Sequence, residues 1–186
     1  MRLSVIGCGH LGAVHAACMA EIGHDVLGVD IDEGKIALLK LGKAWFHEPG
    51  LDEMLSRNLA AGRLRFTTSF AEAAEFGHVH FLGVATPGLP EGSYDLSQVN
   101  AAVTSLARKL SEPSLIIGKS TVPPGTAASL GAIAADISPA GDVDIAWNPE
   151  FLREGCAVRD TLMPDRIVVG TATESVNVNE APSRGF

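Results

Sequence analysis

Gly7-Cys8-Gly9-His10-Leu11-Gly12 has the spacing GxGxxG and stands between a predicted strand at residues 3–6 and a predicted helix at residues 11–22. In that setting the first glycine makes a tight turn, the second lets the backbone approach a pyrophosphate, and the third lets helix and strand pack closely. The helix start adds free N–H groups and a partial positive charge. The pattern alone is weak, and a plain glycine-capped turn is the alternative. In this context we predict a dinucleotide site at Gly7, Gly9, His10, Leu11 and Gly12.

Asp30 follows the next predicted strand, at residues 25–29. A carboxylate at this place accepts hydrogen bonds from both hydroxyls of an adenosine ribose and repels a 2′-phosphate. We therefore predict NAD rather than NADP as the cofactor. Lys35, on the following predicted helix, has two interpretations: it lies across the ribose or adenine, or it is a solvated lysine on the helix surface.

Short β-rich apolar runs alternate with Ala/Leu-rich stretches of helical spacing along the chain. This alternation predicts an α/β fold, a doubly wound and mostly parallel Rossmann-like sheet with helices on both faces. Gly23 and Gly62 end two of the helices. Two Gly/Pro-rich segments follow predicted strands and belong to the carboxyl edge of the sheet, where ligands bind; they are residues 86–92 and 121–125. The predicted strands are residues 3–6, 25–29, 64–67, 80–84, 115–119, 143–147 and 166–169, and the predicted helices are residues 11–22, 33–41, 51–61, 69–75, 96–110 and 126–135.

The composition argues against several classes of protein. The 186 residues carry 14 Lys+Arg against 22 Asp+Glu, a formal net charge of −8, so a nucleic-acid partner is not expected. The apolar runs are far shorter than the roughly 20 residues that span a bilayer. The first residues do not resemble a signal peptide. We therefore expect a cytoplasmic protein with no membrane partner.

Cysteine and histidine spacing indicates neither a disulfide framework nor a metal site. Cys8, Cys18 and Cys156 form no CxxC pair, which fits a reducing compartment. His78 and His80 share one face of a predicted strand, but the sequence offers no third ligand at a suitable spacing. We expect no metal.

Five further motifs follow in order along the chain. Over residues 1 to about 170 they resemble the amino-terminal NAD-binding domain of the UDP-glucose/GDP-mannose dehydrogenase family, most nearly its UDP-glucose 6-dehydrogenase branch. The family usually has Tyr where this chain has His47, and commonly Gly where this chain has Ala85. The motifs are Glu48-Pro49-Gly50-Leu51, residues 81–87 (FLGVATP), residues 119–126 (KSTVPPGT), residues 148–155 (NPEFLREG), and Asp160 with residues 164–170 (PDRIVVG).

The resemblance implies oxidation of a sugar C6 alcohol to a carboxylate in two steps. NAD accepts the electrons in the family, and a family cysteine holds the intermediate as a thiohemiacetal and then as a thioester. The resemblance implies three catalytic roles. Thr121 places its hydroxyl near the reacting C6 and its water, and Glu150 acts as the base in thioester hydrolysis. Glu154 helps to place the substrate. Thr86 and Thr121 match cofactor contacts. The substrate contacts implied are Glu150, Phe151, Leu152, Arg153 and Glu154.

Each of these residues also has a structural interpretation. Thr121 can cap a turn, and Glu150 can cap a helix beginning near Phe151. Glu154 can pair with Arg153 or Arg159. Asn148-Pro149 by itself is a turn signal. The order of the whole set, rather than any one residue, supports the functional interpretation.

The family continues beyond this resemblance, through a central helix and a second α/β domain with the nucleophilic cysteine. We therefore expect residues 1–170 to form the NAD-binding domain and residues 171–186 to be a tail or a truncated linker. Turnover by this chain alone is not expected. Cys156 is the nearest substitute nucleophile, although a small, buried and inert cysteine is the commoner case.

Two alternatives stay open. In the first, the chain is a non-catalytic NAD-binding module that acts through a partner, as a homodimer or with a complementing C-terminal chain. In the second, the chain belongs to a dehydrogenase of GDP-mannose or of a UDP-N-acetylhexosamine rather than of UDP-glucose. An exposed apolar surface is expected for a module that associates with a partner.

Overall fold

The computed structural model describes residues 1–171, in which strands and helices alternate as the sequence predicts. Three of the strands have the predicted bounds, and most other ends differ by one to three residues, as fraying ends usually do. The elements are β1 (Arg2–Ile6), α1 (His10–Glu21), β2 (Asp25–Val29), α2 (Glu33–Lys40), α3 (Leu51–Ala60), β3 (Leu64–Thr67), α4 (Phe70–Phe76), β4 (Val79–Leu82), α5 (Ser97–Ala107), β5 (Ser114–Gly118), α6 (Thr126–Ile137), β6 (Val143–Trp147), α7 (Ala157–Leu162) and β7 (Gly170–Thr171).

The strands of the described residues form one sheet in the order β3-β2-β1-β4-β5-β6-β7. Neighbouring strands from β3 to β6 are parallel, and β7 pairs antiparallel with β6. The chain reverses direction across the sheet between β1 and β4, where the Gly83 N–H donates to the Ile6 carbonyl at 2.7 Å. Doubly wound sheets bind ligands outside the carboxyl ends of their strands at such a reversal point.

Both faces of the sheet are buried, and each carries its own apolar core. Helices α1, α2, α3 and α7 pack on one face, against side chains such as Leu3, Val5 and Phe81. Helices α4, α5 and α6 cover the other face, against side chains such as Leu82 and Ile116. Burial on both faces explains why these strands are almost continuously apolar in sequence. The predicted doubly wound fold is confirmed.

Gly23 and Gly62 end α1 and α3 as predicted. Gly23 has a φ of +104°, and Gly62 has a φ of +71°, a left-handed conformation that favours glycine. After α1, the Gly23 N–H donates to the Ala20 carbonyl and the next N–H donates to the Met19 carbonyl, both at 3.1 Å. These bonds satisfy carbonyls that the helix end leaves free, and they turn the chain into β2.

The predicted strand at residues 166–169 is wrong. Within residues 1–171 the ladder with β6 begins only at Gly170, and the apolar side chains of Ile167 and Val168 are 64% and 44% exposed. The Val168 carbonyl instead accepts a hydrogen bond from the side chain of Asn148, at 2.8 Å. The prediction for residues 171–186 lies outside the described residues, apart from Thr171.

Candidate functional site

The turn after β1 requires glycine at Gly7. This residue has a φ of +87°, and a Cβ built on it would lie 2.7 Å from a side-chain carbon of Val84 and 2.8 Å from the Val84 nitrogen. The Gly7 N–H donates to the Val29 carbonyl at 2.7 Å. The turn is therefore fixed between the ends of β1, β2 and β4.

Helix α1 lies directly against this turn because Gly12 has no side chain. A Cβ on Gly12 would fall 1.7 Å from the Gly7 carbonyl oxygen. Gly9 is different, since nothing lies within 4 Å of a Cβ placed there. Gly9 occupies the N-cap position of α1, and no side chain there accepts a hydrogen bond from the first-turn N–H groups. These are the features that a bound pyrophosphate needs.

Asp30 is half-buried beside the turn, where its carboxylate organises the backbone. Oδ2 accepts the Cys8 N–H at 2.8 Å, and Oδ1 accepts the Asp32 N–H at 3.0 Å. Each carboxylate oxygen can accept more than one hydrogen bond. Acceptor capacity for two ribose hydroxyls therefore remains.

A cleft of about 510 Å³ opens between this turn and helix α5. Lys35 stands at its edge, with Nζ 4.0 Å from an Asp32 carboxylate oxygen and 5.3 Å from the centre of the Trp45 ring. The lysine therefore has an acidic and an aromatic neighbour as well as contact with the cleft. The other lining residues include Gly7, Gly9, Val29, Asp30, Ile31, Phe70, Gly83, Val84, Gln98, Ala101 and Ser105.

Beyond the carboxyl ends of β5 and β6, polar side chains connect the two strands. The Lys119 Nζ donates to the Asn148 Oδ1 at 2.8 Å. Burial lowers the pKa of the Lys119 ammonium below its usual value, and the charge of Glu150 opposes that shift. The Ser120 hydroxyl donates to the Val84 carbonyl at 2.6 Å. The two Gly/Pro-rich segments are thereby held at one edge of the sheet.

Thr86, Thr121 and Glu150 come after β4, β5 and β6, three adjacent strands. Thr86 and Glu150 are half-buried, and Thr121 is exposed. The Glu150 Oε2 accepts the Leu152 N–H at 2.5 Å. No helix begins near Phe151, since α7 starts only at Ala157, so the alternative interpretation of Glu150 as a helix cap is wrong.

The segment that follows Glu150 is exposed at Phe151, Arg153 and Glu154 and half-buried at Leu152. Arg153 forms a bidentate contact with Asp160, whose shorter distance is 2.6 Å. Within residues 1–171, Glu154 forms no ion pair with Arg153 or Arg159. The structural interpretation of Glu154 as an arginine partner is therefore wrong.

Glu48 is the residue that sequence reasoning missed. Its side chain is 1% exposed, and its carboxylate accepts the Gly155 N–H at 3.0 Å and the Ala157 N–H at 2.8 Å. The Nε2 atom of His10 lies 3.3 Å from the same carboxylate. A charged residue within the Glu-Pro-Gly motif was the available signal, but the sequence could not show its partners.

The cysteines differ sharply in environment. Cys8 and Cys18 are buried, and burial raises the pKa of both thiols, that of Cys18 to about 12. Neither has the accessible thiolate that a nucleophile needs. Cys156 is exposed at the start of α7.

Two features concern the described residues as a whole. Within residues 1–171, no group of three or more His, Cys, Asp or Glu side chains could hold a metal ion. In the same part of the chain, no helix combines the length and apolarity needed to cross a membrane.

A family model described as "UDP-glucose/GDP-mannose dehydrogenase family, NAD binding domain" matches residues 1–181. The chain belongs to this family. It corresponds to the family's NAD-binding domain, and its cofactor is NAD, to which the cleft and the open helix start are suited.

Relatives within the family cover both nucleotide sugars in its name. A UDP-glucose 6-dehydrogenase of Rhizobium meliloti is 45% identical over 171 residues, which is 91% of this chain and 39% of that protein. The structure of a ternary complex of GDP-mannose dehydrogenase from Pseudomonas aeruginosa has a TM-score of 0.87 at 36% identity, over 92% of this chain and 41% of that one. A UDP-glucose dehydrogenase of Pyrobaculum islandicum has the same TM-score at 41% identity, with coverage of 92% and 41%. The chain thus spans about two fifths of the length of these relatives.

Proposed function

We propose that this chain is the cofactor domain of a nucleotide-sugar 6-dehydrogenase that oxidises the C6 alcohol of UDP-glucose to the carboxylate of UDP-glucuronate. The arrangement of Thr86, Thr121 and Glu150 carries the proposal, because they follow adjacent strands at the same edge of the sheet as the NAD cleft. The UDP-glucose 6-dehydrogenase at 45% identity supports this choice of sugar nucleotide.

The cofactor half of the site consists of the turn, Asp30 and Lys35. The first N–H groups of α1, at His10, Leu11 and Gly12, bind the pyrophosphate beside the open position at Gly9. Asp30 accepts hydrogen bonds from the adenosine ribose hydroxyls. Lys35 lies along the ribose or adenine at the edge of the cleft. When bound, NAD supplies the hydride acceptor for the oxidation.

The substrate half begins at the Ser-Thr-Val-Pro turn. The Thr121 hydroxyl orients the C6 group of the sugar and its water. Thr86 contacts the cofactor. The Glu150 Oε2 is held by the Leu152 N–H, which fixes the carboxylate for its role as base in thioester hydrolysis. Glu154, with residues 151–153, lies along the sugar nucleotide.

Residues 1–170 form the cofactor domain in this proposal, and residues 171–186 are a tail or a truncated linker. This polypeptide alone does not oxidise the nucleotide sugar, because none of its cysteines has both the exposure and the position of the family nucleophile. The enzyme acts in the cytoplasm, where NAD and nucleotide sugars are dissolved.

Two observations each favour an alternative: the first concerns the substrate, and the second concerns the assembly. The structural match to a GDP-mannose dehydrogenase is as good as that to a UDP-glucose dehydrogenase, with a TM-score of 0.87 for both. Apolar side chains are also exposed after β6, among them Phe151 at 57% and Met163 at 75%. They favour a module completed by a homodimer partner or by a complementing C-terminal chain.

The test combines NAD binding and NADH formation on the 186-residue chain. Calorimetric titration with NAD and, as a matched control, with NADP measures cofactor binding. The same sample is then mixed with NAD and either UDP-glucose or GDP-mannose. NAD binding without NADH is the expected result. Failure to bind NAD would contradict the cofactor site, and sustained NADH formation would contradict the claim that the chain is inactive alone.

A further inference from the structure

The Glu48 carboxylate is buried, and both of its oxygens have hydrogen-bond partners. Oε1 accepts the Ala157 N–H, and Oε2 lies within hydrogen-bond distance of both the Gly155 N–H and the His10 Nε2. Burying an ionised group is costly unless hydrogen bonds replace its water. Three partners provide that replacement and fix the carboxylate in one position.

These partners belong to two different halves of the site. His10 is the first residue of α1 and part of the turn assigned to the pyrophosphate. Gly155 and Ala157 follow directly on the segment assigned to the nucleotide sugar, and Ala157 begins α7. Glu48 is distant in sequence from both the cofactor turn and the substrate segment, and its side chain connects the two.

Further contacts keep the same two parts together. The His10 ring packs on Phe46 with a centroid separation of 4.5 Å, so its direction toward Glu48 is restrained. Helix α7 lies on α1, where the Cys18 thiol is 3.8 Å from the Val158 carbonyl oxygen. The backbone at residues 155–157 thus has a docked state, bonded to Glu48, from which it can open only by breaking those bonds.

We propose that Glu48 is a positioning residue that couples NAD binding at the turn to the docking of the substrate segment. A ligand that restrains His10 also restrains the carboxylate bonded to it, and that carboxylate holds the amides of Gly155 and Ala157. Such coupling is reciprocal, so a docked segment strengthens NAD binding by the same factor. The inference rests on the proposed function, since it requires NAD at the turn.

Hydrogen exchange of the Gly155 and Ala157 amides, measured by NMR with and without saturating NAD, tests the coupling. In the wild type, NAD is expected to slow exchange at both amides about fivefold or more. Glu53→Gln, a matched loss of charge on the exposed surface of α3, is expected to respond in the same way. In Glu48→Gln the NAD-dependent slowing is expected to fall below about twofold, while NAD still binds, because the N–H groups of the turn are unchanged.

The outcomes are separable. NAD binding that leaves both amides unaffected in the wild type overturns the coupling, and so does full slowing in Glu48→Gln. If Glu48→Gln does not fold, His10→Phe replaces it: this variant keeps a ring on Phe46 but has no nitrogen for Glu48, and it is expected to lose the slowing. A wild-type chain that fails to bind NAD overturns the proposed function, and the coupling with it.

Discussion

Asp30 has an observed contact with the turn and a proposed contact with ribose. Its carboxylate already holds the turn through the Cys8 N–H, at 2.8 Å, before any ribose is bound. The sequence predicted its contact with ribose, because the residue follows the second strand, but not its bond to the turn. Removing the side chain therefore affects both the shape of the turn and the proposed ribose contacts, whereas Asp30→Asn removes the charge, keeps one acceptor oxygen and loses the acceptor for one of the two backbone N–H groups.

We expect Asp30→Ala to weaken NAD binding by about tenfold or more, since hydrogen bonds to a charged group are worth about 1.5–3 kcal/mol each. The ratio of NADP to NAD affinity is expected to rise in both Asp30→Ala and Asp30→Asn, because neither repels a 2′-phosphate. Titration calorimetry with the two cofactors measures this, and Asp142→Ala, on an exposed loop, is the control. Unchanged affinities for both cofactors in Asp30→Ala would rule out the ribose contact.

At the scale of elements, the start of α1 carries two glycines with opposite surroundings, and only Gly12 is needed for the close approach of α1 to the turn. Gly12→Ala places a Cβ 1.7 Å from the Gly7 carbonyl oxygen, so the helix must move. We expect a loss of about 3 kcal/mol in the free energy of unfolding. Gly9→Ala meets nothing within 4 Å, so its stability should be unchanged while NAD binding weakens.

Urea unfolding and NAD titration on the two variants give the comparison. The weakening in Gly9→Ala is expected to be about 1–3 kcal/mol, the usual cost of a steric clash, here with the pyrophosphate. A Gly9→Ala variant that binds NAD normally would show that the pyrophosphate lies elsewhere. A Gly12→Ala variant as stable as the wild type would contradict the close packing of α1.

Most elements could be predicted because their signals are local. Apolar runs, helical spacing and glycines at helix ends predict the sheet and the bounds of β2, β3 and β6. The prediction for residues 166–169 was wrong because an apolar run usually indicates a buried strand. Here the Val168 carbonyl accepts a hydrogen bond from the Asn148 side chain and not from a neighbouring strand. Glu48 was missed because its partners are 38, 107 and 109 residues away along the chain. No periodic pattern carries that information.

At the scale of the whole molecule, buried histidines make stability depend on pH. Burial lowers the pKa of His15, whose ring packs 4.4 Å from that of Phe81, to about 3, and burial lowers that of His80 to about 4. Both rings stay neutral in the folded protein, whereas the unfolded chain takes up protons near pH 6.5. The free energy of unfolding therefore decreases as the pH falls below that value.

The expected slope is up to about 1.4 kcal/mol per pH unit for each of His15 and His80, between about pH 6.5 and pH 4.5. Urea unfolding at several pH values measures it. His15→Leu removes one of these two contributions and should reduce the slope, whereas Leu41→Ala, which changes an exposed side chain with no titratable group, should not. Equal slopes in all three proteins would contradict the neutral, buried state of His15.

The different burial of the cysteines has a practical consequence for labelling. Cys8 and Cys18 are buried and Cys156 is exposed, so a maleimide dye will react at one position of the natural sequence. That position lies between Gly155 and Ala157, the two residues whose amides bind Glu48. A fluorophore there would report whether the surroundings of this segment change when NAD is added, without any engineered cysteine.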